Sequence, residues 1–406
     1  MHYGWVVVAA SFVIGVSGYG TYFSFTLFYP QLVTEFGWSR AAISGALSLG
    51  LITYGVCALP MGWCVDRYGP RRTVMIGGAL LGLGTALGHG VSELWHLYAL
   101  YGGLTAVGMG AAWAPLVSTI SRWFVAKRGL AIGLGCIGGG TGTLFVAPIV
   151  EQLLTQCGWR EAYVWLGLGC GLTIVAASAL LERDPAAKNM HAYGYLPLAN
   201  SAADDIAAGR SGADLEFNNI YAIVRTVVFW RMTAVFGLWW FGGAMVFVQI
   251  APYMLEKGFD LHFATLATVA FGAGNGLGKI GLGMIADKIG GVGALQCANC
   301  VAAVSMYALT LVHTDTGVLW VVAVFGFGFG GGTPQLTTIG VELFGLNAVG
   351  ALMGALLALI GIVGAGGPLF SGIVFDASGS YSQAFVVGAV VYVVATIAAS
   401  TLRRGA

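Results

Sequence analysis

Charge is what this sequence has least of. Of its 406 residues only 9% are Asp, Glu, Lys or Arg, while 58% are hydrophobic. Water-facing domains carry about 25% charged residues, so this chain cannot clothe a soluble surface. A chain that crosses a bilayer many times is what remains. The formal net charge is +1, and no basic block offers itself to nucleic acid. No basic segment precedes the first apolar run, MHYGWVVVAASFVIGVSG, the first Lys or Arg being Arg40. A cleaved signal peptide is therefore not expected, and this run reads as the first span. No His, Cys or acidic cluster is set out for chemistry, so neither an enzyme nor a cofactor or metal is expected. The seven cysteines are scattered through apolar segments. Cys297-Ala-Asn-Cys300 has redox-motif spacing, but in a hydrophobic helix without a βαβ setting it reads as packing.

What the sequence does have is apolar runs of about 20 residues, each long enough to cross a bilayer as a helix. Twelve can be counted, from one centred near Val16 to one near Val390. The longest polar break separates the sixth from the seventh. The chain thus divides into a six-helix bundle over 1–181, a central loop over 182–225 and a second six-helix bundle over 226–406. NNIYAIVRTVVFWR, entering the seventh span, reads as an interfacial helix. Lys and Arg near span ends prefer the cytoplasmic side. With the N-terminus inside, 14 of the 18 fall on that side, Arg40, Arg160 and Lys257 fall outside, and Lys279 is left over. Both termini are expected in the cytoplasm. Trp38, Trp95, Trp159 and Tyr381, at outer ends, read as interfacial anchors.

The halves repeat one another. GWCVDRYGPRR follows the second span and GMIADKIGG the eighth, with Asp66 and Asp287 221 residues apart. APLVSTISRWF is echoed by TPQLTTIGVELF, and Pro148 by Pro368. Parallel repeats of six spans put a substrate site near the midplane between the halves. Such symmetry favours a transporter over a receptor, a channel or an intramembrane enzyme.

GxxxDRxGxRR between spans two and three, with GxxxDKxG between eight and nine, resembles the major facilitator superfamily. The resemblance implies an all-α membrane fold of twelve helices in two pseudo-symmetric bundles. In it Asp66, Arg67, Arg71 and Arg72, with Asp287 and Lys288, latch the halves on the cytoplasmic side. Tyr3-Gly4-Trp5, TEFGWSRAAIS and SRWFVAKRGLAIG are similar to the monocarboxylate transporter branch, which includes bacterial lactate carriers and oxalate:formate exchangers. That resemblance implies a monomeric carrier of small organic anions in the lipid bilayer, in a bacterial cytoplasmic (inner) membrane. The branch binds substrate carboxylate through an arginine of the eighth span, with Asn or Asp four residues earlier. The matching positions are Lys279 and Asn275. Where bacterial relatives keep a His in the seventh span, this chain has Gln249. Tyr22, Leu27, Ser118, Thr119 and Leu144 are further candidate contacts, in spans where this fold lines its cavity.

Lys279 is the one charge that falls well inside a span, since all 17 acids lie at span ends or in loops. Intramembrane ionisable residues tend to face the bundle and mark a pathway, so the ammonium is expected to meet an anionic substrate. Two blander readings stand beside this one. The side chain could snorkel toward the cytoplasmic interface, or serve structure by bonding to carbonyls. GAGNGLGKI is not a phosphate loop, because the glycine six before Lys279 and the following Ser/Thr are missing. Lysine, unlike arginine, can give up its proton on leaving water, so Lys279 is also the expected proton carrier if uptake is proton-coupled. The rivals are obligate anion exchange, a different solute with a structural Lys279, and a transporter-like sensor. In the glycine-rich GCIGGGTGTLF run, close helix packing is expected.

Overall fold

A helix that must satisfy every backbone group inside lipid can be apolar all round, and the long helices here are built that way. In the computed structural model, which describes residues 2–111, 114–195, 223–344 and 349–402, ten helical stretches are long and apolar enough to cross a membrane. Two of these are bent pairs of 49 residues, Leu130–Ser178 broken at Gly158 and Leu261–Leu309 broken at Gly290. Counting each arm as a span gives the twelve expected from sequence. In chain order the spans are Tyr3–Phe36, Arg40–Tyr68, Pro70–Leu87, Leu94–Trp123, the two arms of Leu130–Ser178, Val227–Glu256, the two arms of Leu261–Leu309, Asp315–Phe344, Val349–Ser378 and Ser382–Ala399. Leu172, Val304, Trp320 and Ile397 are exposed on the outside, as a lipid-facing surface requires.

The duplication is written into the backbone. Among the described residues, six of the seven glycines with positive φ come in pairs 221 residues apart: Gly37 and Gly258 (65° and 87°), Gly69 and Gly290 (83° and 80°), Gly158 and Gly379 (78° and 72°). Each pair ends a helix at an equivalent corner, in a conformation that costs residues with a Cβ but not glycine. Repeated turns force repeated helix directions, which gives two bundles of one topology.

Within and between bundles the helices approach through small residues. A Cβ on Gly278 would lie 2.0 Å from the Phe327 carbonyl oxygen, so the eighth and tenth spans touch backbone to backbone. Between bundles, the second span runs along the eleventh, where Gly55 faces Ala358 and Gly372 faces Ala41. The fifth runs along the eighth, where Gly272 faces Thr143 and Gly276 faces Thr141.

Two expectations change. Tyr381 and Trp159 are buried rather than lying at the lipid interface. The Arg40 guanidinium donates to the Tyr381 hydroxyl and Trp159 Nε1 donates to Glu35, so polar partners have drawn both rings inward. Cys297 and Cys300 are free and exposed on their helix surface rather than packed. The central segment is described as far as Tyr195. It is tied to the first bundle by Tyr193, whose N–H donates to the Trp123 carbonyl and whose carbonyl accepts from Val125 and Ala126. Of the expected interfacial helix, residues 218–222 lie outside the described residues. Past them the chain makes a turn, and the Thr226 side chain caps the seventh span at the Phe229 N–H.

Candidate substrate site at the seam between the bundles

The eighth span begins at Leu261, where the Asp260 carboxylate accepts from the Phe263 N–H and fixes its start. Phe271, Asn275 and Lys279 then come at one-turn spacing and share a face. Asn275 is 5% exposed, and Lys279 is half-buried. Their face meets Gly140 of the fifth span. A Cβ built on Gly140 would lie 2.3 Å from Asn275 Oδ1 and 2.9 Å from Lys279 Nζ. A cation and an amide from the second bundle thus converge on one glycine of the first.

One turn away the seam becomes apolar. Phe23 of the first bundle meets Phe247 edge-on at 4.7 Å, and Phe247 lies 6.4 Å from Phe271 and 6.2 Å from Phe329. These rings form a layer over the Asn275–Lys279 pair.

Beyond that layer a set of polar contacts draws the bundles together. Thr26 Oγ1 donates to the Val248 carbonyl at 2.9 Å. Gln249 Nε2 donates to Ser44 Oγ at 3.0 Å and to Ser371 Oγ at 3.1 Å, joining the seventh, second and eleventh spans. The Asp376 carboxylate accepts from the backbone N–H groups of Arg40 and Ala41, at 3.0 and 2.9 Å. The Arg40 guanidinium lies 4.1 Å over the Phe375 ring. His262 and Glu151 pair across the seam at 2.8 Å. At this end, where Arg40 and Asp376 sit, the two bundles are clasped.

Of the residues singled out from sequence, Lys279 and Asn275 lie together at the seam, and Leu144 lies beside them, its backbone N close to Gly272. Gln249 is fully buried in the clasp. Tyr22 and Leu27 are both buried. The Tyr22 ring stacks on Tyr101 at 4.9 Å, and its hydroxyl points at Gly50. Ser118 and Thr119 turn their hydroxyls back to the Pro115 carbonyl. At the opposite end Arg67 stacks on Trp63 and Tyr68, while Arg71, Arg72, Asp287 and Lys288 are exposed. The Asp66 side chain and residues 403–406 lie outside the described residues. Sequence reasoning missed Gly140, Thr143, the phenylalanine layer and the Arg40–Asp376 clasp. Only the small-residue run around Gly140 stands out in the sequence, and there it reads as packing.

Twelve spans in two like bundles, closing on a shared seam, define a transporter rather than an enzyme. The family model for the major facilitator superfamily matches residues 10–368, and the chain belongs to that superfamily. Among curated proteins it is similar to monocarboxylate transporter 11 of Mus musculus, 30% identical over 400 residues that cover 95% of this chain and 84% of the relative. It is also similar to the oxalate:formate antiporter of Oxalobacter formigenes, 27% identical over 331 residues, covering 80% of this chain and 74% of the relative. Among solved structures it resembles a bacterial homolog of the human lysosomal transporter Spinster, in an inward-facing and unoccupied conformation. There the TM-score is 0.75 at 16% identity, covering 98% of each chain.

Proposed function

We propose that this chain carries small organic anions across a membrane by alternating access, with a monocarboxylate such as lactate or pyruvate as its substrate and Lys279 as the carboxylate ligand. The observation that carries this reading is the convergence of Lys279 Nζ and Asn275 Oδ1 on Gly140 of the opposing bundle. A cation held at a seam made by both bundles meets one side of the membrane when the bundles rock one way, and the other side when they rock back. The named activities of the relatives, monocarboxylate transport and oxalate:formate exchange, support an anion as cargo. Lysine offers a point charge rather than arginine's fork, so it constrains carboxylate geometry loosely. Gln249 reaches the cargo only once the clasp opens and frees it from Ser44 and Ser371, and Asp66, Arg67, Asp287 and Lys288 then latch the other end.

In this reading the proton travels on Lys279. The loaded site holds ammonium and carboxylate, formally neutral, and the empty carrier returns with a neutral amine. The charge count at span ends assigns both termini to the cytoplasm, so the clasped end faces outward. Uptake of labelled lactate, pyruvate, formate and oxalate into proteoliposomes tests the proposal. Uptake of a monocarboxylate that rises with an inward proton gradient is expected. Transport that runs only against a counter-anion, indifferent to the gradient, would make the chain an exchanger like the oxalate:formate relative. Absence of all four fluxes would return Lys279 to a structural role.

A further inference from the structure

Threonines inside membrane helices usually quiet their hydroxyls by donating to the carbonyl one turn back. Thr21, Thr119, Thr141 and Thr268 do so, to Ser17, Pro115, Ile137 and Ala264. Thr143 departs from the pattern. It is 5% exposed and its hydroxyl makes no hydrogen bond. Instead the hydroxyl is turned across the seam, 2.4 Å from where a Cβ on Gly272 would sit. Gly140 and Thr143 are one turn apart on the fifth span, as Gly272 and Asn275 are on the eighth. Asn275 Oδ1, which faces Gly140, is likewise buried without a hydrogen bond. Two buried polar atoms from opposite bundles therefore lie unpaired one turn apart along the same seam, Asn275 Oδ1 against the glycine that Lys279 Nζ also faces.

Leaving such groups unpaired in an apolar interior is costly. The arrangement wants a ligand group that can both give and take a hydrogen bond, next to an anionic end. A carboxylate supplies the anion but has no hydrogen to give Asn275 Oδ1. A hydroxyl on the carbon beside it supplies both, donating to Asn275 Oδ1 and accepting from the Thr143 hydroxyl. A 2-oxo group can only accept, and would set its oxygen against Oδ1.

We infer that Thr143 and Asn275 together form a hydroxyl-reading subsite that makes this carrier selective for 2-hydroxycarboxylates over their 2-oxo and unsubstituted counterparts. The inference rests on the anion reading above and adds Thr143 as a specificity-determining residue. Titration of the purified protein in nanodiscs with propanoate, 2-oxopropanoate and 2-hydroxypropanoate tests it. One added hydrogen bond is worth about tenfold in affinity. The wild type should therefore bind 2-hydroxypropanoate about tenfold more tightly than either of the others. Thr143→Val should bring the advantage over propanoate down to about threefold or less, while the advantage over 2-oxopropanoate, which rests on Asn275 Oδ1, persists, and Thr143→Ser should keep both. Equal affinities for the three acids in the wild type would overturn the inference while leaving the anion reading intact, as would an advantage over propanoate that survives undiminished in Thr143→Val. No binding of any acid would overturn both.

Discussion

Substituting alanine one position at a time at Gly138, Gly140 and Gly142 adds the same methyl group against different surfaces. At Gly138 a Cβ would meet the Phe12 carbonyl oxygen at 2.5 Å and the Val16 nitrogen at 2.9 Å. At Gly142 it would meet the Gly20 nitrogen at 2.5 Å and the Val16 oxygen at 2.9 Å. Both are backbone of the first span, which cannot yield without moving a whole helix. Overpacking of that kind costs about 1–3 kcal/mol, partly offset by about 0.5–1 kcal/mol for replacing a helical glycine. At Gly140 the atoms nearest the methyl are the ends of two side chains, Asn275 and Lys279, with no backbone among them. They can swing aside, so the fold is spared and the site is not. Displacing a charged hydrogen-bonding group forfeits about 1.5–3 kcal/mol, or about ten- to a hundredfold in anion affinity. Thermal midpoints without ligand and affinities for lactate, pyruvate, formate and oxalate, measured on the three variants, separate the cases. Gly138→Ala and Gly142→Ala should melt earlier, whereas Gly140→Ala should melt no earlier than the wild type and bind poorly. A common loss of stability with affinity intact at Gly140→Ala would mean that Gly140 packs as its neighbours do, and the case for the site would fail.

Lys279→Gln should abolish anion binding in a folded, inserted protein, and the uncharged amide of a transported acid should bind the wild type poorly; equal affinity for acid and amide counts against a charge-reading site. Lys279→Arg keeps the charge but holds its proton, so proton-driven uptake should be lost while anion-for-anion exchange survives, as counterflow and pH-gradient uptake will tell. Asp376→Asn weakens two charge-assisted bonds at an exposed site, worth about 1 kcal/mol together, so the ratio of clasped to open molecules should fall about fivefold. Label-to-label distances between the exposed positions Gln152 and Asp315 should lengthen accordingly, and an unchanged distribution would remove Asp376 from the clasp.

The number of spans and their two-fold grouping were legible because hydropathy and span length are local properties of the chain. The pairing of Asp66 with Asp287 revealed the duplication, and the glycine corners at the same 221-residue offset give it a backbone cause. Lys279 stood out because a charge inside an apolar run has few explanations. Gly140 and Thr143 did not, since a glycine next to a helix and a glycine next to an ammonium look alike in sequence. Tyr381 was misread for a related reason. An aromatic ring at a span end looks like a lipid anchor until Arg40, more than 300 residues away, is seen to hold it inside.

The second span's own Ser39 caps only the Ala42 N–H; the first two donors, on Arg40 and Ala41, are finished by Asp376 from the other bundle. The first turn of that helix is therefore complete only while the bundles touch. When they part, two bare amide donors are left at the membrane's edge, where only water can replace the lost carboxylate. Parting and wetting become a single event at this spot. Amide hydrogen exchange at Arg40 and Ala41 would then count openings of the clasp directly, and each opening would bring water to the place where the incoming cargo must first shed its own.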